Sequence, residues 1–244
     1  MTTATAITLH EITDASAHGV PSFSPFCLKV LLTLDALALP YTRAHGPFPA
    51  HWKTLNPTGQ VPVVTVGNEV IADSTLIVRR LRSLSKRGLN DGFTAKQEAE
   101  ALLYEELADA EVNGFVVAAR WADARNWPRT RDVFFANAPL PVRLVVSTLA
   151  QRARTKQLVA RDVWRQGPDA CWARFGLLLD ALEARAPATG FWLAETLSTA
   201  DIALAAQLKS LQTPLTPWQA GEVSRRPALN AWIGRVMAAT STST

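Results

Sequence analysis

The apolar residues of this chain change their period about a third of the way along it. Up to residue 84 they fall in short β-rich runs and two helical stretches; from residue 95 they return every three or four positions. Ile7, Leu9 and Ile12, set among Thr8, His10 and Glu11, predict a first strand. Ser24 then Pro25 predicts a helix start, serine as N-cap and proline in the first turn. Val30, Leu31, Leu34 and Leu37 continue that helix as an apolar stripe, which stops before Pro40, and 41–44 reads as a second strand. The runs 63–66 and 70–72, joined by Gly67-Asn68-Glu69, read as a hairpin. Asp73-Ser74 opens a second helix carrying Ile77, Leu81 and Leu84.

Residues 85–94, with Gly88 and Gly92, read as a linker, and 95–244 as an all-helical second domain. A long helix is expected from Thr94 to Trp121 on Leu103, Leu107, Phe115 and Ala119. Pro128, Pro139 and Pro141 break the next stretch into shorter helices, and Pro168–Ala186 repeats Trp172, Phe175, Leu179 and Leu182. Leu229, Trp232, Ile233, Val236 and Met237 mark a final packed helix. Ser198 with Asp201 three residues on is a capping box, which gives both residues a structural role.

Composition narrows the class. Of 244 residues nearly half are apolar, enough for a substantial core, and no apolar run approaches the ~18 residues of a membrane-spanning helix. The start, Met1 to Ala6, lacks the basic and apolar segments of a secretory signal, so a cytoplasmic location is expected. Cys27 and Cys171 lie far apart, which argues against a disulfide framework. His10, His18, His45 and His51 show no metal-ligand spacing, and no metal is expected. The net charge of +4 is uneven: 98–111 holds six acids and no base, whereas 120–165 holds ten Lys/Arg against three acids. Such blocks guide an anionic ligand, pair within a dimer, or form solvated helix faces. The basic block carries no nucleic-acid recognition motif.

The stretch 59–75 carries the chemistry. Pro62 stands at the start of a strand, where a missing N–H is tolerated, and a cis Val61-Pro62 bond is expected there. Such a bond turns the Val61 N–H and C=O sideways, where an extended peptide-like ligand can pair with them. The helix start at Asp73-Ser74 offers unpaired N–H groups and positive dipole charge, a seat for a carboxylate.

Leu55-Asn56-Pro57-Thr58-Gly59-Gln60-Val61-Pro62 with Asp73-Ser74-Thr75 resembles the glutathione site of glutathione transferases. Ser24-Pro25-Phe26-Cys27-Leu28-Lys29-Val30 strengthens the likeness, and the element order is that of the family's thioredoxin-like half. Val20 to Cys27, Ala119-Arg120-Trp121 and Asn126-Trp127-Pro128 are similar to the failed axon connections and metaxin-like branch. The resemblance implies an α/β thioredoxin-like, glutathione-binding domain over 1–84 and an all-α domain over 95–244. It implies that Val61 pairs with the cysteinyl backbone of glutathione and that Asp73 and Ser74 hold its γ-glutamyl end. Asp73 departs from the glutamate or glutamine usual there, and no tyrosine lies near the first strand.

The implied reaction is attack of the glutathione thiolate on a hydrophobic electrophile, glutathione being a co-substrate and the protein a homodimer. A free thiol has a pKa near ~8.5, so the site must favour the thiolate. Ser24 combines a hydroxyl with a helix N-terminus and is the expected catalytic residue; Ser22 is a second hydroxyl candidate. Lys53 and Gln60 either hold the glycyl carboxylate or are exposed loop residues. The resemblance places Arg120 and Trp121 in the second-substrate pocket; for Trp121, an aromatic at helical spacing, the alternative is a core position. Two other readings remain open: an interaction module that lost turnover, and a glutathione-dependent thiol reductase working through Cys27.

Overall fold

The computed structural model describes residues 6–12, 15, 20–46, 49–136 and 139–241. His18 and residues 1–5, named above, lie outside these. Four strands, β1 (Ile7–Ile12), β2 (Thr42–Gly46), β3 (Val63–Val66) and β4 (Glu69–Ala72), form one sheet in the order β2-β1-β3-β4. β1 pairs parallel to β2 and antiparallel to β3, and β3 and β4 make the hairpin. Helices α1 (Pro25–Ala36) and α2 (Ser74–Leu84) complete this half, whose core includes Leu9, Leu31, Leu34, Val64, Ile77 and Leu81.

β1 corrects one reading. Ile7 and Leu9 point into the core, and the two-residue period of a strand carries Glu11 in with them, leaving Ile12 half-exposed. Glu11 is fully buried. Its carboxylate meets Arg43 Nε at 2.6 Å and the Ser22 hydroxyl at 2.8 Å, with His45 Nε2 at 3.3 Å.

The helical half starts with α3 (Ala95–Glu106), capped by Thr94 and Gln97. The expected long helix is present to Ala122 but is wound wider in two places: π turns at Leu107–Val112 and Ala118–Ala122 flank α4 (Asn113–Val117). Leu103, expected inside, is 69% exposed. After these come α5 (Trp127–Phe134), α6 (Leu140–Ala160), α7 (Gly167–Arg185), α8 (Thr199–Leu211), α9 (Pro217–Ser224) and α10 (Pro227–Thr240). α8 is the central helix: every residue but Lys209 is buried, and it packs on α1 as well as α3 and α10. The Ser198 hydroxyl accepts the Asp201 N–H at its start. The Asp201 carboxylate accepts the N–H of Ser198 and Trp192 and the indole N–H of Trp232. Between the halves Asn90 is buried, and its side chain accepts the Thr199 N–H at 2.8 Å, so 85–94 is anchored to α8.

The halves also meet through charge. Lys29, a fully buried residue of α1, places Nζ 2.6 Å from both Glu105 on α3 and Asp109 in the first π turn. Glu105 Oε1 lies off the hydrogen-bonding direction, so its contact is Coulombic, while Asp109 accepts a true hydrogen bond. The ammonium also donates to Thr75 Oγ1 at 3.2 Å.

Removing the cation alone leaves two carboxylates facing each other in the interior. Lys29→Ala should therefore cost about 3–5 kcal/mol, whereas Lys29→Met with Glu105→Leu and Asp109→Leu should recover most of it. Denaturant unfolding of both variants checks this; an unchanged midpoint for Lys29→Ala would remove the cluster from the list of structural supports.

Candidate glutathione-type site

The sheet brings three candidate segments to one end. β1 and β3 run antiparallel with His10 opposite Val63, so the end of β1 lies beside the start of β3. β4 is antiparallel to β3 with Ala72 opposite Val63, so β4 ends there too. The loop to Ser24, the Val61-Pro62 bond and the start of α2 therefore share this end. The Val61-Pro62 peptide is cis.

Val61 is half-exposed, and among the described residues its N–H and C=O make no hydrogen bond. Asp73 is the N-cap of α2 at φ 79°, a left-handed conformation that a non-glycine residue adopts only under strain. Its Oδ1 accepts from Thr75 N at 3.0 Å and Leu76 N at 3.2 Å. That cap occupies two of the orphan N–H groups of the helix start and leaves the first, on Ser74. The Ser74 hydroxyl has no partner among the described residues, although the residue is mostly buried. Ser74 thus keeps donors for a ligand, while one Asp73 oxygen is engaged in capping.

Ser24 caps α1, its hydroxyl oxygen accepting the Cys27 N–H at 3.3 Å. The hydroxyl proton is not used by that bond. Ser22 differs: its hydroxyl donates to the buried Glu11 carboxylate, and its oxygen accepts the Ser24 N–H at 3.3 Å. Cys27 is fully buried, and burial pushes its thiol far above the ordinary range, with the nearby Glu11 charge acting in the same direction. Lys53 and Gln60 are exposed, with side chains free of partners among the described residues. The Gln60 backbone is fixed by Asn56 Nδ2 and Thr58 Oγ1. His10, on the face beside Trp52, donates or accepts at Thr65 Oγ1, and burial lowers its pKa.

Arg120 sits in the second π turn and is turned inward. Its guanidinium donates to the carbonyls of Phe23 at 2.5 Å and Ser210 at 2.7 Å, and burial pulls its pKa down to about 10. It ties the loop before Ser24 to α8, and its guanidinium is engaged in doing so. Trp121 is half-exposed among Trp127, Phe134 and Phe135, at ring separations of 5.6–6.3 Å. Phe23 lies against Phe134 at 5.1 Å. Aromatic side chains therefore cover the region beside Ser24. A cleft of about 320 Å³ lies elsewhere, between α2 and α3, lined by Val78, Arg79, Arg82, Glu98, Leu102 and Glu105. No cluster of three or more His, Cys, Asp or Glu that could hold a metal occurs among the described residues.

From the sequence alone, no inward role fell to Lys29, Glu11 or Phe23. The alternation Ile7–Leu9–Glu11 was a usable signal for Glu11. Lys29 lies next to Leu28 and Val30, and nothing in its spacing marked it as inward.

A thioredoxin-like sheet with a cis-proline edge, joined to an all-helical domain around a buried central helix, defines the class. Models of the glutathione S-transferase N-terminal domain and C-terminal domain match residues 25–126 and 150–235. The chain belongs to the glutathione S-transferase superfamily. It is 36% identical over 78 residues to Failed axon connections of Drosophila melanogaster, a match spanning 32% of this chain and 18% of that protein. Among solved structures it is similar to glutathione S-transferase III in its apo form (TM-score 0.59, 20% identity, 96% of this chain and 92% of that one). It is also similar to poplar glutathione transferase F1 (TM-score 0.60, 17% identity, 96% and 92%). At these identities the two structures speak for the fold.

The Asp73 strain gives a test of the helix start. Asp73→Gly relieves the positive φ but removes the cap, so stability should change by less than about 1 kcal/mol. Asp73→Ala keeps the strain and loses the cap, and should cost about 1–2 kcal/mol. Thermal unfolding of the two variants side by side checks the ordering; Ala as stable as Gly would contradict it.

Proposed function

We propose that the chain binds glutathione at this end of the sheet and presents its thiol at Ser24 to an apolar electrophile. The observation that carries the reading is the convergence there of hydrogen-bonding groups: the unpaired Val61 backbone and Ser74 hydroxyl, with the Ser24 hydroxyl at a helix start. Val61 would pair with the cysteinyl backbone, and Ser74 with Asp73 would hold the γ-glutamyl end. Lys53 and Gln60 are free for the glycyl carboxylate. At Ser24 the helix start and the hydroxyl both favour a thiolate over a thiol. Trp121, Phe134 and Phe135 would meet an aromatic or aliphatic electrophile.

A second reading, binding without turnover, is favoured by one observation. Phe23 lies against Phe134, and Trp121 against Trp127, Phe134 and Phe135, so the rings beside Ser24 pack on one another. The thiol-reductase reading has the opposite standing: a buried Cys27 with a raised pKa is a poor nucleophile. A homodimer and a cytoplasmic location belong to the proposal. The acidic block lends the dimer little, because Glu98 pairs with Arg82, Glu111 with Arg174, and Glu105 and Asp109 with Lys29. The exposed Leu76 and Leu103, on the two helices that line the cleft, are better dimer contacts.

Isothermal titration with glutathione tests binding. Ser74→Ala with Asp73→Ala should weaken it at least about tenfold, at roughly 1.5–3 kcal/mol per lost hydrogen bond to a charged group. Unchanged affinity in the folded double variant would sink the site assignment.

Turnover is tested at Ser24. Ser24→Ala should raise the pKa of bound glutathione and slow reaction with an electrophile roughly ten- to a hundredfold at neutral pH, with little change in affinity. Ser24→Gly retains more of the cap and controls for stability. Thiolate absorbance against pH reads the shift; superimposable curves for all three proteins would leave Ser24 as a helix cap.

A further inference from the structure

We propose that α6 docks on an anionic membrane surface, lying along it rather than crossing it. Most of the large apolar side chains exposed on the described surface belong to this one helix. They include Leu140, Val142, Leu144, Val145, Val146 and Leu149, with Val145 at 61% exposure and Leu149 at 59%. Only Ser147 and Leu158 of its 21 residues are buried. At about 100° per residue, Leu144, Val145 and Val146 alone span some 200° of the helix. A single partner helix covers a stripe of roughly half that width, whereas lipid surrounds whatever side chains enter it.

The charge on the same side names the surface. Arg152 and Lys156 follow Leu149 by three and seven residues, and so continue the line of Val145 and Leu149. Both are exposed, and neither has an ion pair among the described residues. The helix also carries Arg143 and Arg154 and no acid, and Arg161 and Arg165 follow it. Arg143 is paired with Asp132 and Arg165 with Asp162, while Arg154 donates to Gln157 and Arg161 to the Ala110 carbonyl. That leaves Arg152 and Lys156, beside the apolar stripe, as the cations of this run without a partner among the described residues. An apolar wedge followed by unpaired cations on one face suits the boundary between acyl chains and negatively charged headgroups. No helix among the described residues is long and apolar enough to cross a membrane, which agrees with a helix that lies flat.

The experiment is flotation of the full chain with phosphatidylcholine vesicles, with and without phosphatidylserine. Binding is expected to the serine-containing vesicles and to weaken as salt rises. Arg152→Glu with Lys156→Glu should weaken it at least about tenfold, and Val145→Asp with Leu149→Asp should abolish it. All four side chains are exposed, so circular dichroism and thermal unfolding should match the parent and exclude misfolding. Sedimentation of the same proteins without lipid reads the other occupant. If the Asp pair leaves vesicle binding unaltered, or instead converts a dimer to a monomer while no vesicle binding is seen, the membrane proposal is overturned in favour of another occupant.

Discussion

A buried lysine holds the two halves of this protein together. Lys29 belongs to the first helix of the α/β half, but both carboxylates that neutralise it come from the helical half. Bringing three charges out of water is costly and is offset only if all three are in place at once. The pairing therefore acts as a register: either half alone leaves charge uncompensated. Its third partner, Thr75, is the second residue of α2, so the same ammonium reaches the helix start proposed to hold the ligand. The geometry of the candidate site thus depends on docking of the helical half, although every residue that would touch glutathione lies in the first.

One long helix makes both joints, each from a residue in a π turn. A π turn inserts an extra residue and re-aims the side chains that follow it. The first contains Asp109, which reaches Lys29; the second contains Arg120, which reaches Phe23 and Ser210. Asp109 and Arg120 stand eleven residues apart, about three helical turns, and both reach the α/β half. Arg120 then fixes Phe23, Phe23 packs on Phe134, and the loop leading to Ser24 is held from above.

The backbone of this site was legible in the sequence, and its supports were not. Turn and cap residues act locally: Gly67-Asn68 implies a hairpin, Ser24-Pro25 a helix start, and Ser198 with Asp201 a capping box, whatever surrounds them. Pro62 marked the cis bond for the same reason. The inward ties of Lys29 and Arg120 were not legible, because their partners lie 46 to 97 residues away and no local pattern announces them. The charge blocks misled in the same way. Six acids in a row of fourteen suggested an outward-facing surface, yet two of them are turned to Lys29. Trp121 was read as either ligand contact or core, and it stands half-exposed among three aromatic rings.

α6 shows what happens when a helix has no such joint to make. Its inward line runs through Ser147, Gln151 and Leu158, of which only Leu158 is a large apolar side chain. Rotating the helix by half a turn would bury Val145 and Leu149 and gain about 1.5–3 kcal/mol for each, at the expense of burying Arg152 and Lys156. Burying two unpaired cations costs several kcal/mol each, so the rotated helix loses. The cations on the stripe therefore keep its valines and leucine in water in the isolated protein. The same cations would not oppose burial at a surface whose headgroups are negatively charged, because they could remain at its hydrated edge. Apolar area and positive charge thus conflict in a protein core and cooperate at such a surface, which is why the direction in which α6 faces bears on what it meets.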